Sequence, residues 1–170
     1  MTSINNRKPN RLSDHNYDQN GFYFITICTK NKKEFFGKIE NGEMRLNGIG
    51  GIINDQWLWL AKQYDYVLLD EYVIMPNHFH GIININDYCR DRSRPVPTGK
   101  IKSLSELIGA FKTTSSKLIH QNGYHDFFWQ RSFYDHIIRT ERSLDEIRKY
   151  IYYNPLKWDI DRNNTENLYM

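Results

Sequence analysis

The chain is poor in cysteine and has no long apolar run and no low-complexity tract, and each absence removes a class of protein. Cys28 and Cys89 are the only thiols in 170 residues, too few and too far apart for a disulfide framework or a zinc knuckle. Both read as free thiols, Cys28 filling a strand and Cys89 lying in a loop. The longest apolar stretches, such as Phe22 to Cys28 and Tyr72 to Met75, fall far short of the ~18 residues that span a bilayer, so no membrane partner is expected. The first fifteen residues alternate Asn, Arg, Lys, Ser and Asp without an apolar segment, so no secretory signal and a cytoplasmic location are expected. Net charge is only +3, which by itself implies no partner. What is present, 39% hydrophobic and 25% charged residues, is enough for one globular core.

The positive charge is unevenly spread. Between Arg90 and Lys102 the cations Arg90, Arg92, Arg94, Lys100 and Lys102 meet one acid, Asp91, and Pro95, Pro97 and Gly99 make the segment an extended loop. Lys30, Lys32 and Lys33 form a second cluster after the first expected strand. Basic loops in a chain with 15% aromatic residues suit a phosphate backbone and unstacked bases. A merely solvated linker is the alternative.

Gly21 to Thr29 is rich in aromatic and β-branched residues and reads as a strand. Turn signals at Phe36-Gly37 and Asn41-Gly42 suggest a small hairpin over Phe36 to Leu46. The series Ile52, Ile53, Trp57, Leu60, Ala61 predicts an amphipathic helix from Ile49 to Gln63. Tyr66 to Ile74 and His78 to Ile85 read as adjacent antiparallel strands with a tight connection. Ser103 and Glu106 make a capping-box pattern ahead of a helix from Leu104 to His120. Phe127 to Arg139 reads as another strand. Ser143 with Glu146 suggests a cap for a last helix that ends near Tyr153, before Pro155. This order is the split βαβ pattern of a ferredoxin-like α+β sandwich with an antiparallel sheet and an added C-terminal helix. Residues 1–20 are expected to be a flexible basic arm, 21–158 a single domain, and 159–170 a polar, frayed tail.

Two features could do chemistry. In His78-Phe79-His80, at the start of an expected strand, the imidazoles share one face and Phe79 takes the other, so two ring nitrogens can meet one metal ion; the bland alternative is a pair of hydrogen-bonded histidines. On the last helix Leu144, Ile147 and Ile151 define the apolar stripe, and Tyr150 lies beside it. Tyr153 points away from the core and Tyr152 lies on the opposite flank. Asn154 shares the face of Tyr150 only if the helix survives to its last turn, which Pro155 opposes. Packing tyrosines with wet hydroxyls are the alternative.

The strings YVIMPNHFHGII (72–83), SLSELIGAFKTTSSKLI, WQRSFYDHIIR (129–139) and YIYYNPLKW (150–158), together with the N-terminal FYFITICTKNKKEFFGKIENGEMRLNGIGGII, resemble the single-tyrosine HUH transposases, closest to the REP-associated tyrosine transposases. The resemblance runs from about Gly21 to Trp158. It implies a metal-dependent endonuclease and strand transferase acting on single-stranded, often hairpin-forming, DNA. It further implies that His78 and His80 bind Mg²⁺ or Mn²⁺, that Asn154 is the third ligand, and that Tyr150 is the nucleophile that becomes joined to a 5′ phosphate.

The chemistry accounts for these residue types. A phosphodiester repels nucleophiles until a cation with few protein ligands neutralises a non-bridging oxygen. A phenol with a pKa of about 10 is a weak nucleophile until it is aligned and loses its proton. His136 is the nearest candidate base by type. The basic loops and Phe127, Phe128 and Trp129 are candidate substrate contacts, with core packing as the alternative for the aromatics. A non-cleaving single-stranded nucleic-acid binder and an RNA-binding module are the competing readings. A monomer and a homodimer that exchanges tyrosine helices both remain open.

Overall fold

A computed structural model of the chain describes residues 20–86 and 101–164. The cations Arg90, Arg92, Arg94 and Lys100, the thiol of Cys89, residues 1–19 of the expected arm and the tail after Asn164 lie outside them.

Strand β1 (Gly21–Cys28) pairs on one side with β5 (His78–Ile85) and on the other with β6 (Tyr134–Ile138). Strand β4 (Val67–Met75) adds beyond β5, so the sheet order is β4-β5-β1-β6 with every pair antiparallel. Helix α1 (Gly48–Gln63) follows β1, and α2 (Leu104–Gln121) connects β5 to β6. This is the ferredoxin-like α+β sandwich that the element order predicts. The expected hairpin is β2 (Gly37–Glu40) with β3 (Glu43–Leu46), a separate two-stranded sheet ahead of α1. Asn47 caps α1 by accepting from Gly50 N at 3.0 Å, and Ser103 and Glu106 form the expected capping box on α2.

The sheet has two differently covered faces. Tyr23, Ile25 and Ile27 of β1 and Phe79, Ile83 and Ile85 of β5 turn towards α1 and α2, where they meet Trp57, Leu60, Phe111 and Ile119 in the main core. Phe79 lies 4.7 Å from Trp57 between ring centroids. A side chain at Gly81 would come within 2.9 Å of both rings, so glycine is what lets Trp57 approach β5 closely. The other face carries α3 (Glu141–Tyr152), whose Leu144, Ile147 and Ile151 pack on Phe24, Ile82 and Ile138. Burying Ile151 fully contributes about 1.5–3 kcal/mol.

Three expectations need correction. The strand expected over Phe127 to Arg139 forms only as β6; upstream, Phe127 and Trp129 turn into the main core, and one isolated bridge to Thr29 joins that segment to the sheet. Trp129 Nε1 donates to Ser115 Oγ of α2 at 3.0 Å, so burial and not a ladder decides the path. The cap of α3 is Thr140, whose hydroxyl accepts from Ser143 N at 3.2 Å; Ser143 itself is inside the first turn. The tail is not frayed between Asp159 and Asn164. The chain continues as a 3-10 segment, Pro155–Ile160, after which Asn163 and Asn164 are buried. Asn164 Nδ2 donates to Trp158 O at 3.2 Å, and Asn163 O accepts from Asn77 Nδ2 at 2.8 Å.

Candidate active site

The pleat of β5 sends Phe79 into the main core and turns His78 and His80 towards α3, as the alternation predicts. Their ring centroids are 4.7 Å apart. Both rings are buried, and the inner nitrogen of each has a partner. His78 Nδ1 lies 2.9 Å from Asn77 Oδ1. Asn77 Nδ2 donates to Lys32 O at 2.9 Å and to Asn163 O at 2.8 Å, which fixes the amide orientation and makes Oδ1 the acceptor. The proton is therefore on His78 Nδ1, and Nε2 carries a bare lone pair. That Nε2 is buried with no hydrogen-bond partner. His80 Nδ1 lies 2.8 Å from Thr26 Oγ1, and the Ile25 backbone also acts on the ring. His80 Nε2 lies 3.3 Å from the Tyr150 hydroxyl.

Helix α3 supplies the rest. Asn154 retains right-handed helical angles, φ −61 and ψ −43, in spite of Pro155, because a proline is well tolerated at the start of the 3-10 segment that follows. Four residues after Tyr150 and one turn along, Asn154 is thereby kept on the tyrosine's side of the helix. Its amide is close enough to act on the Tyr150 phenol, favouring the ionised oxygen, and its Oδ1 is buried without a partner. Tyr150 is 42% exposed and Tyr152 71%, so the tyrosine chosen by the helical wheel is the one that leans over the histidines. Phe24 meets Tyr150 edge-on at 6.0 Å, and Trp158 stacks on His78 at 6.0 Å. On the opposite side of the tyrosine, Arg148 makes paired hydrogen bonds to Asp70, 2.8 Å from Nε to Oδ1 and 2.6 Å from Nη2 to Oδ2. Asp70 sits where the β4 register shifts between Leu69 and Tyr72, an irregularity of the kind that re-aims a side chain.

Electrostatics keep the imidazoles neutral. Burial pushes the His78 pKa down to about 3, and the charges of Lys32 and Arg162 press it further in the same direction. His80 is held well below the usual imidazole value by burial and then by His78. The Tyr150 phenol is pushed up, first by burial and then by the carboxylate of Asp161, while the Asn154 amide opposes the shift. Among the described residues no trio of His, Cys, Asp or Glu is arranged around a metal-sized gap. The two histidines and the carboxamide are a different donor set: two nitrogens and one oxygen, of which His78 Nε2 and Asn154 Oδ1 are unpaired and buried. A polar atom left in that state costs about 1–3 kcal/mol, and a divalent cation is one group that would remove the cost for both. The residues present therefore fit such an ion.

Of the other expected site residues, Lys32 is near enough to act on His78, and the rest are dispersed. Lys32 Nζ donates to Arg162 O at 2.7 Å, Lys33 pairs with Asp126, and Lys30 stands over the Phe128 ring at 5.4 Å. Lys102 lies just before α2, its backbone N–H donating to Tyr66 Oη at 3.1 Å. That is the Val67–Ile85 end of the sheet, about 23 Å along β5 from His78. His136 is exposed on β6 and is not among the groups acting on Tyr150. Sequence reasoning missed Asn77, Thr26, Asp161 and Arg162. Asn77 was legible only as part of a tight turn; nothing in the spacing marks it as the partner of a histidine ring.

No family model matches the chain. A Haemophilus influenzae protein described only as uncharacterized is 38% identical over 168 residues, covering 94% of this chain and 93% of its own length. Among solved structures, a REP-associated tyrosine transposase bound to a REP hairpin superposes with a TM-score of 0.55 at 20% identity, over 81% of this chain and 67% of that one. At that identity the likeness is one of fold.

Proposed function

Because the chain belongs to one family with the uncharacterized Haemophilus influenzae protein and shares its fold with a tyrosine transposase, we propose that it is a transposase-like enzyme that nicks and rejoins single-stranded or hairpin DNA through Tyr150. The observation that carries this reading is the convergence of one phenol, two neutral imidazoles, of which His78 Nε2 is unpaired, and an unpaired carboxamide oxygen, with Tyr150 Oη 3.3 Å from His80 Nε2. His78 Nε2, His80 Nε2 and Asn154 Oδ1 would hold Mg²⁺ or Mn²⁺, which supplies charge neutralisation at a non-bridging phosphate oxygen.

The chain's own residues account for the rest. Asn77 holds the His78 imidazole in the tautomer that leaves Nε2 free, and Thr26 holds the inner nitrogen of His80, the role that outer partners play at metal sites. Neutral rings are what a cation needs, and burial keeps them neutral across the physiological range. Asn154 orients the phenol, and Lys32 and Arg162 bring positive charge close to His78, which favours an anionic phosphate there. In the reaction the Tyr150 Oη–P bond forms as the P–O3′ bond breaks; the phenolic proton is lost, and the leaving oxygen gains one to become a 3′ hydroxyl. The bond between tyrosine and the 5′ phosphate retains the energy of the original diester, so a second 3′ hydroxyl can reverse the step on a new partner. Tyr150 reaches His80 of its own chain, which supports action by a single subunit. Lys102, the described end of the basic segment, lies at the far end of β5 from His78 and would contact DNA away from the cleaved bond.

Hairpin oligonucleotides labelled at one end or the other test this. A covalent adduct is expected to carry the 3′-labelled fragment, to require Mg²⁺ or Mn²⁺, and to vanish in Tyr150→Phe. Absence of any adduct, or an adduct unchanged by that substitution, overturns the reading; DNA binding that ignores metal and survives His78→Ala with His80→Ala would mark a non-cleaving binder instead.

A further inference from the structure

Next to the two histidines, the chain builds a cleft that none of the catalytic groups uses. Its volume is about 380 Å³, and it is lined by Lys30, Asn31, Phe128, Trp129, Gln130 and Arg131. Its backbone is an extension of the sheet: Gln130 N donates to Cys28 O at 2.8 Å, and Lys30 N donates to Phe128 O at 2.8 Å. Cys28 is the cross-strand partner of His78. The cleft therefore begins about 7 Å beyond the His78 register along β1, a step that one extended nucleotide can make.

The side chains divide by burial. Phe127 and Trp129 turn into the main core, while Phe128 between them turns out and remains 49% exposed. Lys30 Nζ lies 5.4 Å from its ring centroid, and His120 meets its edge at 5.6 Å. The other wall is pinned from below, since Lys112 Nζ donates to the carbonyl of Arg131 at 3.2 Å. An exposed aromatic ring on a fixed backbone, flanked by Lys30 and Arg131, is complementary to a flat base carried on an anionic chain.

We propose that this cleft is a subsite for one unstacked nucleobase of the DNA strand, beside the scissile phosphate, with Phe128 as the stacking platform, Lys30 and Arg131 on the adjoining phosphates and the Gln130 amide at the base edge. The inference rests on the single-strand reading above. It assigns base contact to Phe128 alone of the three neighbouring aromatics, and gives a reason why Phe128 is left in solvent.

Binding of a fluorescent thymidine 15-mer and of an equally long strand of abasic sites separates base contact from phosphate contact. Phe128→Ala is expected to weaken the thymidine strand by about tenfold and to leave the abasic strand unchanged, with Phe128→Tyr restoring the affinity. Phe128→Leu, which keeps apolar bulk without the stacking face, should behave like the alanine variant and guards against a folding defect. Lys30→Ala and Arg131→Ala should weaken both strands, each lowering the slope of log affinity against log salt by about 0.7. Thymidine binding indifferent to Phe128→Ala and Phe128→Leu, or equal losses on both strands, overturns the subsite while leaving the nicking reaction intact. A native chain that binds neither strand also overturns the subsite, whereas the nicking reading is decided by the hairpin adduct.

Discussion

The two faces of one sheet follow opposite rules. Towards α1 and α2, β5 presents Phe79, Ile83 and Ile85 to a continuous apolar core in which Trp57, Phe111 and Trp129 interlock. Towards α3 the apolar cluster is small, Phe24, Ile82, Ile138 and Ile151, and it gives way within one residue pair to His78, His80 and Asn154. The first face stabilises the fold and leaves an indole N–H, Trp57 Nε1, unpaired among its described residues. The second gathers unpaired acceptors, His78 Nε2 and Asn154 Oδ1, at about 1–3 kcal/mol each, a cost that the core behind it must offset. Such local violations of packing logic are where function is expected.

The largest effect on this contrast should come from Phe79→Ala, which empties the centre of the first face and is expected to lower unfolding free energy by about 3–5 kcal/mol in a denaturant titration. Asn154→Leu changes the second face by a side chain of similar shape that lacks the unpaired oxygen. Its expected effect in the metal-free protein is neutral to stabilising, by up to about 1–3 kcal/mol, with loss of adduct formation; a destabilisation as large as that of Phe79→Ala would erase the distinction between the faces.

Acid should also act through the second face. The folded pKa of His78 is about 3, below its ordinary value, so between about pH 6.5 and 3 the unfolded state binds the proton that the folded state refuses. Stability of the metal-free protein is expected to be full above pH 6.5 and to fall as pH drops through that window, by at most about 1.4 kcal/mol per unit for this site. Thermal melts in EDTA across pH 4 to 8 check the sign, and a flat profile would contradict it. The smallest effect is expected at the Arg148–Asp70 pair, half open to solvent on the Arg148 side. Asp70→Asn should cost about 1 kcal/mol or less, yet slow adduct formation more than it slows DNA binding, because the pair anchors the turn of α3 that carries Tyr150.

How much of this was legible before the fold was known depended on whether the signal was periodic. The two-residue pleat of His78-Phe79-His80 and the helical wheel of Tyr150 and Asn154 each placed side chains on the right face, since each period is a property of the local backbone. Ser143 is the cap that the sequence suggests; Thr140 takes that role because β6, held in register by Phe22 to Thr26, ends at Ile138 and leaves the Thr140 hydroxyl ahead of the first turn. Thr26 and Asn163 act through hydrogen bonds between residues distant in sequence, and Asn77, although next to His78, is held in place by the distant carbonyls of Lys32 and Asn163; such contacts leave no pattern along the chain. The segment from Phe127 to Trp129 reads as strand by composition but follows the core, because a buried tryptophan with a satisfied N–H outweighs a few ladder bonds.

The central claim is that His78, His80 and Asn154 share one divalent cation beneath Tyr150. A crystal structure of the protein soaked in Mn²⁺, read by anomalous scattering, tests it most directly. The account predicts one manganese peak bonded to His78 Nε2, His80 Nε2 and Asn154 Oδ1, with the Tyr150 oxygen facing it; manganese bound elsewhere, or these three atoms still unligated at saturating metal, would contradict it.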